Sequence, residues 1–103
     1  MYVFNADGTM QQANPDAGDA NTSDSDGKGI WVSEGERVTG KWVEITADRT
    51  SHRFVARGEI SYELRVAGNA FTGNAVARFY GSDGDLVTGP IRTVLTGTRV
   101  TLP

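Results

Sequence analysis

The strongest pattern along the chain has a period of two. From His52 to Val66 the even positions read His52, Phe54, Ala56, Gly58, Ile60, Tyr62, Leu64 and Val66. The odd positions read Arg53, Val55, Arg57, Glu59, Ser61, Glu63 and Arg65. One face is apolar and the other charged, as in a strand lying on a core; a helix would scatter these residues around its circumference. At about 3.3 Å per residue such a strand runs for about 50 Å and has to bend. Gly58 is the expected bend or bulge. The charged face reads as a solvent face with cross-strand ion pairs, and its alternative is a polar subunit interface.

The segments on either side alternate as well. Phe71, Gly73, Ala75, Ala77 and Phe79 share one face, and Thr72, Asn74, Val76, Arg78 and Tyr80 the other. Ala67-Gly68-Asn69 supplies a tight hairpin between these two strands. Val38 to Thr46 places Val38, Gly40, Trp42, Glu44 and Thr46 on one face. A shorter strand, Gly29 to Ser33, precedes it and turns at Glu34-Gly35-Glu36, and a last strand is expected within Pro90 to Leu102. Two further turns, Asn5-Ala6-Asp7-Gly8-Thr9 and Ser82-Asp83-Gly84-Asp85, each carry Asp-Gly shortly after an aromatic residue. The pattern predicts an all-β, antiparallel up-and-down chain of about seven to eight strands with no substantial helix. Closure into a barrel is expected because it removes exposed sheet edges.

The 103 residues form a single domain, 1–103. Residues 15–28 are expected to be its one long loop. They lack large apolar residues, and the first 27 residues carry five Asp and no Lys or Arg. The remaining chain holds all ten bases and eight acids. The net charge of −3 argues against nucleic-acid binding. No apolar run is long enough to span a membrane as a helix. With no signal peptide at its start, the chain as given reads as cytoplasmic, or as secreted with its signal sequence absent. Cysteine is absent and His52 is the lone histidine, which excludes thiol chemistry and a multi-His metal site within one subunit. Asp24-Ser25-Asp26-Gly27 faintly matches a calcium loop, but the first and last ligand positions fall on Thr22 and Ser33. No metal and no cofactor are expected.

Phe4-Asn5-Ala6-Asp7-Gly8-Thr9, Asn14-Pro15, Gly29-Ile30-Trp31, Asp83-Gly84 and Gly97-Thr98-Arg99-Val100 occur in an order that resembles a lipocalin-like (calycin-type) family of small, mostly uncharacterised bacterial β-barrel proteins. The resemblance spans nearly the whole chain through short motifs. It implies a lipocalin-like barrel more than an activity. Such proteins usually open with a G-x-W strand ahead of the F-x-x-D-G hairpin. Here that first strand is absent or shortened to Tyr2-Val3-Phe4. The departure implies an unpaired edge and, through it, a homodimer.

Three small residues in a row, Gly73, Ala75 and Ala77, leave room on a face shared with Phe71 and Phe79. If that face points inward, Trp31, Trp42 and Tyr62 line the same space. The expectation is a non-enzymatic barrel that binds a small apolar or aromatic molecule through these eight residues. Its alternative is a core in which large neighbours fill the space, leaving a structural or interaction module. An enzyme of cyclase or isomerase type is a further alternative by fold analogy, with Glu44, His52, Tyr62 and Arg78 as candidate proton-transfer groups. Glu44 is either an inward carboxylate with a raised pKa, paired with an arginine such as Arg78 or Arg99, or a rim residue in water. His52 opens the long strand beside a turn, which also suits a rim position.

Overall fold

The alternating segments do become strands. The computed structural model describes residues 1–16 and 19–103, and contains eight strands and no helix among them. They are β1 (Tyr2–Phe4), β2 (Thr9–Gln12), β3 (Thr22–Asp24), β4 (Gly27–Glu34), β5 (Arg37–Asp48), β6 (Phe54–Ala67), β7 (Ala70–Tyr80) and β8 (Leu86–Thr98). All pairings are antiparallel, and the sheet runs β1-β2-β4-β5-β6-β7-β8, with β3 beside the far end of β5.

Turn chemistry fixes the hairpins. Gly8 and Gly84 take φ of 90° and 85°, where a Cβ is disfavoured. In both turns the preceding Asp side chain locks the exit. Asp7 Oδ1 accepts from the Thr9 N–H at 2.9 Å, and Asp83 Oδ1 accepts from the Asp85 N–H at 3.0 Å.

The even face of β6 is the core face. Ala56, Ile60, Tyr62 and Leu64 are buried there beside Val38 and Trp42 of β5, Ala75 of β7 and Met10 of β2. The odd face bears ion pairs between Arg37 and Glu63, Lys41 and Glu59, and Arg57 and Glu59. The curl of the sheet depends on glycines faced by rings. A Cβ at Gly27 would overlap the Trp42 indole, one at Gly40 the Tyr62 ring, one at Gly97 the Phe71 ring, and one at Gly58 would come within 2.8 Å of Phe79. Each ring covers a glycine on a neighbouring strand, as in the aromatic rescue of glycines in curved sheets.

Three expectations are corrected. First, the sheet is not closed into a barrel: β1 and β8 are its two edges and do not pair. β1 has three residues against thirteen in β8, too few to satisfy so long an edge. Second, the long strand is not bulged at Gly58, which stays in register between Glu44 and Phe79. The irregularity lies where Thr46 faces Ala56 and Ala47 faces Phe54, leaving Val55 as the extra residue. Beyond it the alternation flips, so Phe54 is exposed despite its even position. Third, the acidic loop contains β3, with Thr22, Ser23 and Asp24 opposite Asp48, Ala47 and Thr46. Its side chains stay polar: the Thr46 hydroxyl donates to Asp24 Oδ1 at 2.7 Å. The expected loop 15–28 also includes Ala17 and Gly18, which lie outside the described residues.

Candidate functional site

The inner face is filled where the small residues stand. Ala75 is buried in the core and Ala77 packs against it. At Gly73 a Cβ would run into the backbone of Glu63 and Leu64, so the strands approach too closely there to leave a hollow. Trp42 and Tyr62 are core residues, 6% and 4% exposed. Their ring centroids lie 5.5 Å apart.

The open space lies instead at the seam between the two edges. A cleft of about 880 Å³ runs between β1 on one side and the β6–β7 turn and the end of β8 on the other. Tyr2, Phe4, Val66, Phe71 and Leu95 form much of its apolar wall. Arg99 is the one charged side chain among its lining residues. Backbone bonds set both lips: the Arg99 N–H donates to the Asn69 carbonyl at 2.7 Å, and the Ala13 N–H to the Met1 carbonyl at 2.8 Å. Aromatic contacts span the seam where backbone pairing does not. The Tyr2 ring stacks on Phe71 with centroids 6.0 Å apart and planes within 10°. It also meets Trp42 at 5.3 Å and Tyr62 at 6.2 Å. Tyr2 therefore separates the cleft from the core. Its half-buried position pushes its phenol pKa up.

Of the eight residues expected to bind a ligand, Phe71 lines this cleft. Trp31 sits on the β1–β2 hairpin, with its indole N–H donating to the Asn5 carbonyl at 2.9 Å and its ring edge-on to Phe4. Phe79 covers Gly58. Val66, Leu95 and Arg99 carry no strong signal in the sequence, because their role depends on which two edges remain unpaired.

The four candidate proton-transfer groups are dispersed. Tyr62 lies with its ring over Gly40, and its hydroxyl has no hydrogen-bond partner among the described residues. Burial pushes its pKa up to about 12, which makes it a poor base near neutral pH. Glu44 is half-buried on the inner face and is bonded by the Asn14 side-chain amide, not by Arg78 or Arg99. Burial raises its carboxyl above the usual range, and Asp24 adds to the rise. Gln12 joins this network by donating to Asn14 Oδ1 at 2.6 Å. Arg78 is exposed on the outer face opposite Glu59. His52 is exposed in the turn before β6, at the opposite end of that strand from the cleft. Glu44 and Tyr62 share a face, but Tyr62 pairs with Gly40, four residues from Glu44 along β5. No two of the four make a hydrogen bond with each other.

Asp24 and Asp26 are occupied by protein donors, the latter accepting from the Asn14 N–H at 2.9 Å. Among the described residues no three His, Cys, Asp or Glu side chains converge as a metal site. Among the described residues no helix is long and apolar enough to cross a membrane. A comparison with protein-family models finds no match, and comparisons with curated proteins and with solved structures find none either.

Proposed function

We propose that the protein is a lipocalin-like binding module that takes a small apolar or aromatic molecule into the seam cleft. One observation carries this reading: a cleft of about 880 Å³ walled by Tyr2, Phe4, Val66, Phe71 and Leu95. Its volume lies in the range of ligand pockets, roughly 300–1,000 Å³, and such pockets combine apolar walls with a few polar groups. Here the polar groups are the threonines of β8, Asn69 and Arg99. The mode is binding without catalysis, because the groups able to move a proton are dispersed across both faces and the far turn.

The site is tested by titrating N-phenyl-1-naphthylamine, a neutral aromatic probe, into isotopically labelled protein and following backbone amide shifts. The expected shifts fall on Tyr2–Phe4, Val66–Phe71 and Leu95–Val100. Saturable shifts centred on β4 and β5 would move the site elsewhere, and no saturable shift would remove the reading.

A further inference from the structure

Among the described residues the longest unpaired strand edge is the outer edge of β8. Its thirteen residues lie along β7, ten of them in paired register, and no strand lies on the other side. Exposed edges in soluble proteins usually carry lysines, prolines, bulges or a covering segment. In β8 the bulge and Pro90 interrupt only the first part: Ala77 faces Ile91 while Phe79 faces Thr88. From Ile91 to Thr98 the edge is regular, carries one charge, Arg92, and consists otherwise of Ile, Val, Leu, Thr and Gly. Two of its aliphatic side chains are open to solvent, Ile91 45% and Val94 75% exposed, while Leu95 packs against the core.

Among the described residues no strand covers this edge, and the opposite edge, β1, has three residues. A second copy of the same strand suits it. Two identical edges pair antiparallel about a twofold axis, and such an interface is self-complementary by symmetry. Opposite residues must lie on the same face of the joined sheet, so the axis passes through a residue that faces its own copy. An axis at Arg92 would set guanidinium against guanidinium, which opposes pairing. An axis at Thr93 sets Ile91 against the partner's Leu95 and Arg92 against the partner's Val94. An axis at Val94 sets Val94 against its copy and Arg92 against the partner's Thr96. Both avoid like charges. Both also bring the partner's Ile91 beside the mouth of the cleft, next to Leu95 or Gly97.

We infer that two copies of this chain join within the Ile91–Gly97 stretch of β8, antiparallel and with the twofold axis at Thr93 or Val94, so that each copy's β8 walls the mouth of the other's cleft. This places the dimer contact on the last strand and not on the shortened first one.

The protein has no cysteine, so single-cysteine variants report contacts cleanly. Facing residues of an antiparallel pair have Cα atoms about 4.5–5.5 Å apart, within disulfide reach. T93C and V94C are oxidised with diamide alongside S61C, which sits in the middle of the exposed face of β6, and sedimentation of the native chain is recorded up to NMR concentrations. The expected result is a native dimer, with rapid crosslinking of T93C or V94C and none of S61C. V94K, with its fold checked by circular dichroism, is expected to raise the dimer dissociation constant about tenfold or more by placing like charges at the contact. A native chain that stays monomeric overturns the inference. A dimer in which neither T93C nor V94C crosslinks, or S61C does so equally, overturns it as well. If V94K fails to fold, the crosslinks decide alone.

Discussion

β6 and β8 are nearly equal in length, fourteen and thirteen residues, yet their environments are opposite. β6 lies between β5 and β7, with Met10 and Tyr2 reaching across its inner face, and its Leu64 is 1% exposed. β8 has one neighbour, and its Leu86 is 48% exposed. The difference lies in the neighbours more than in the strands. Alternation tells which residues share a face, while strand order decides whether that face is covered.

The largest expected effect breaks the comparison at matched leucines. Leu64→Ala should cost about 3–4 kcal/mol, because a fully buried side chain leaves a cavity in a core that relaxes only partly. Leu86→Ala should cost less than about 1 kcal/mol, since water already reaches the side chain. Urea unfolding of both variants at one protein concentration measures the gap. Equal losses would mean that β8 is as well covered as β6.

The next effect compares the same glycine–ring device in the core and at the seam. Gly27→Ala forces a methyl into the Trp42 indole, which is held by Tyr2 and Tyr62. The cost should be about 2–3 kcal/mol, typical of overpacking a filled site. Gly97→Ala meets the Phe71 ring, which borders the open cleft and has space to swing. Its cost should be under about 1 kcal/mol, with a measurable loss of N-phenyl-1-naphthylamine binding as the ring enters the cleft. Thermal unfolding and probe titration read the two effects separately.

These contrasts also show what the sequence made legible. The even face of β6, the Asp-Gly turns and the antiparallel order follow from period and turn chemistry, both local properties. β3 was hidden because Thr22–Asp24 joins the sheet through backbone pairing and polar contacts, which leave no apolar period. Glycine permits a bulge, which makes Gly58 the expected site, whereas the strand uses that glycine to admit Phe79 and inserts Val55 instead. The inward small residues suggested a hollow. Gly73 instead marks a close approach of two backbones, and spacing along one strand carries no information about the next strand's distance. The cleft is the least legible feature, since Tyr2, Val66 and Leu95 border one space across a seam between two edges that do not pair.

Tyr62→Phe should act in the opposite direction from the core truncation. The hydroxyl is buried without a partner among the described residues, so the native state bears its desolvation cost. Removing it should stabilise the fold by up to about 1 kcal/mol while the ring keeps its contacts with Tyr2 and Trp42. A clear destabilisation in urea unfolding would mean that the hydroxyl has a bonding partner in solution.

The smallest effect concerns Glu44 and is best read as a pH profile. Burial raises its folded pKa, so folding favours the protonated form. Its contribution to stability is therefore fullest below the unfolded pKa and declines as pH rises through the folded one. Carboxylates held low by hydrogen bonds, such as Asp7, Asp48 and Glu59, work in the opposite sense and lose their contribution as pH falls. The wild-type profile mixes both kinds, so the measurement is the difference between Glu44→Gln and wild type. Glutamine keeps an oxygen to accept from Asn14 and removes the charge. The variant's relative stability should rise from mildly acid to neutral pH and then level off, by well under about 1 kcal/mol because the side chain is only partly buried. A difference that falls with pH would place a stabilised carboxylate at position 44. Glu44 would then be held by its hydrogen bond more strongly than it is penalised by burial, and the inner face would resemble the solvated seam more than the dry core around Leu64.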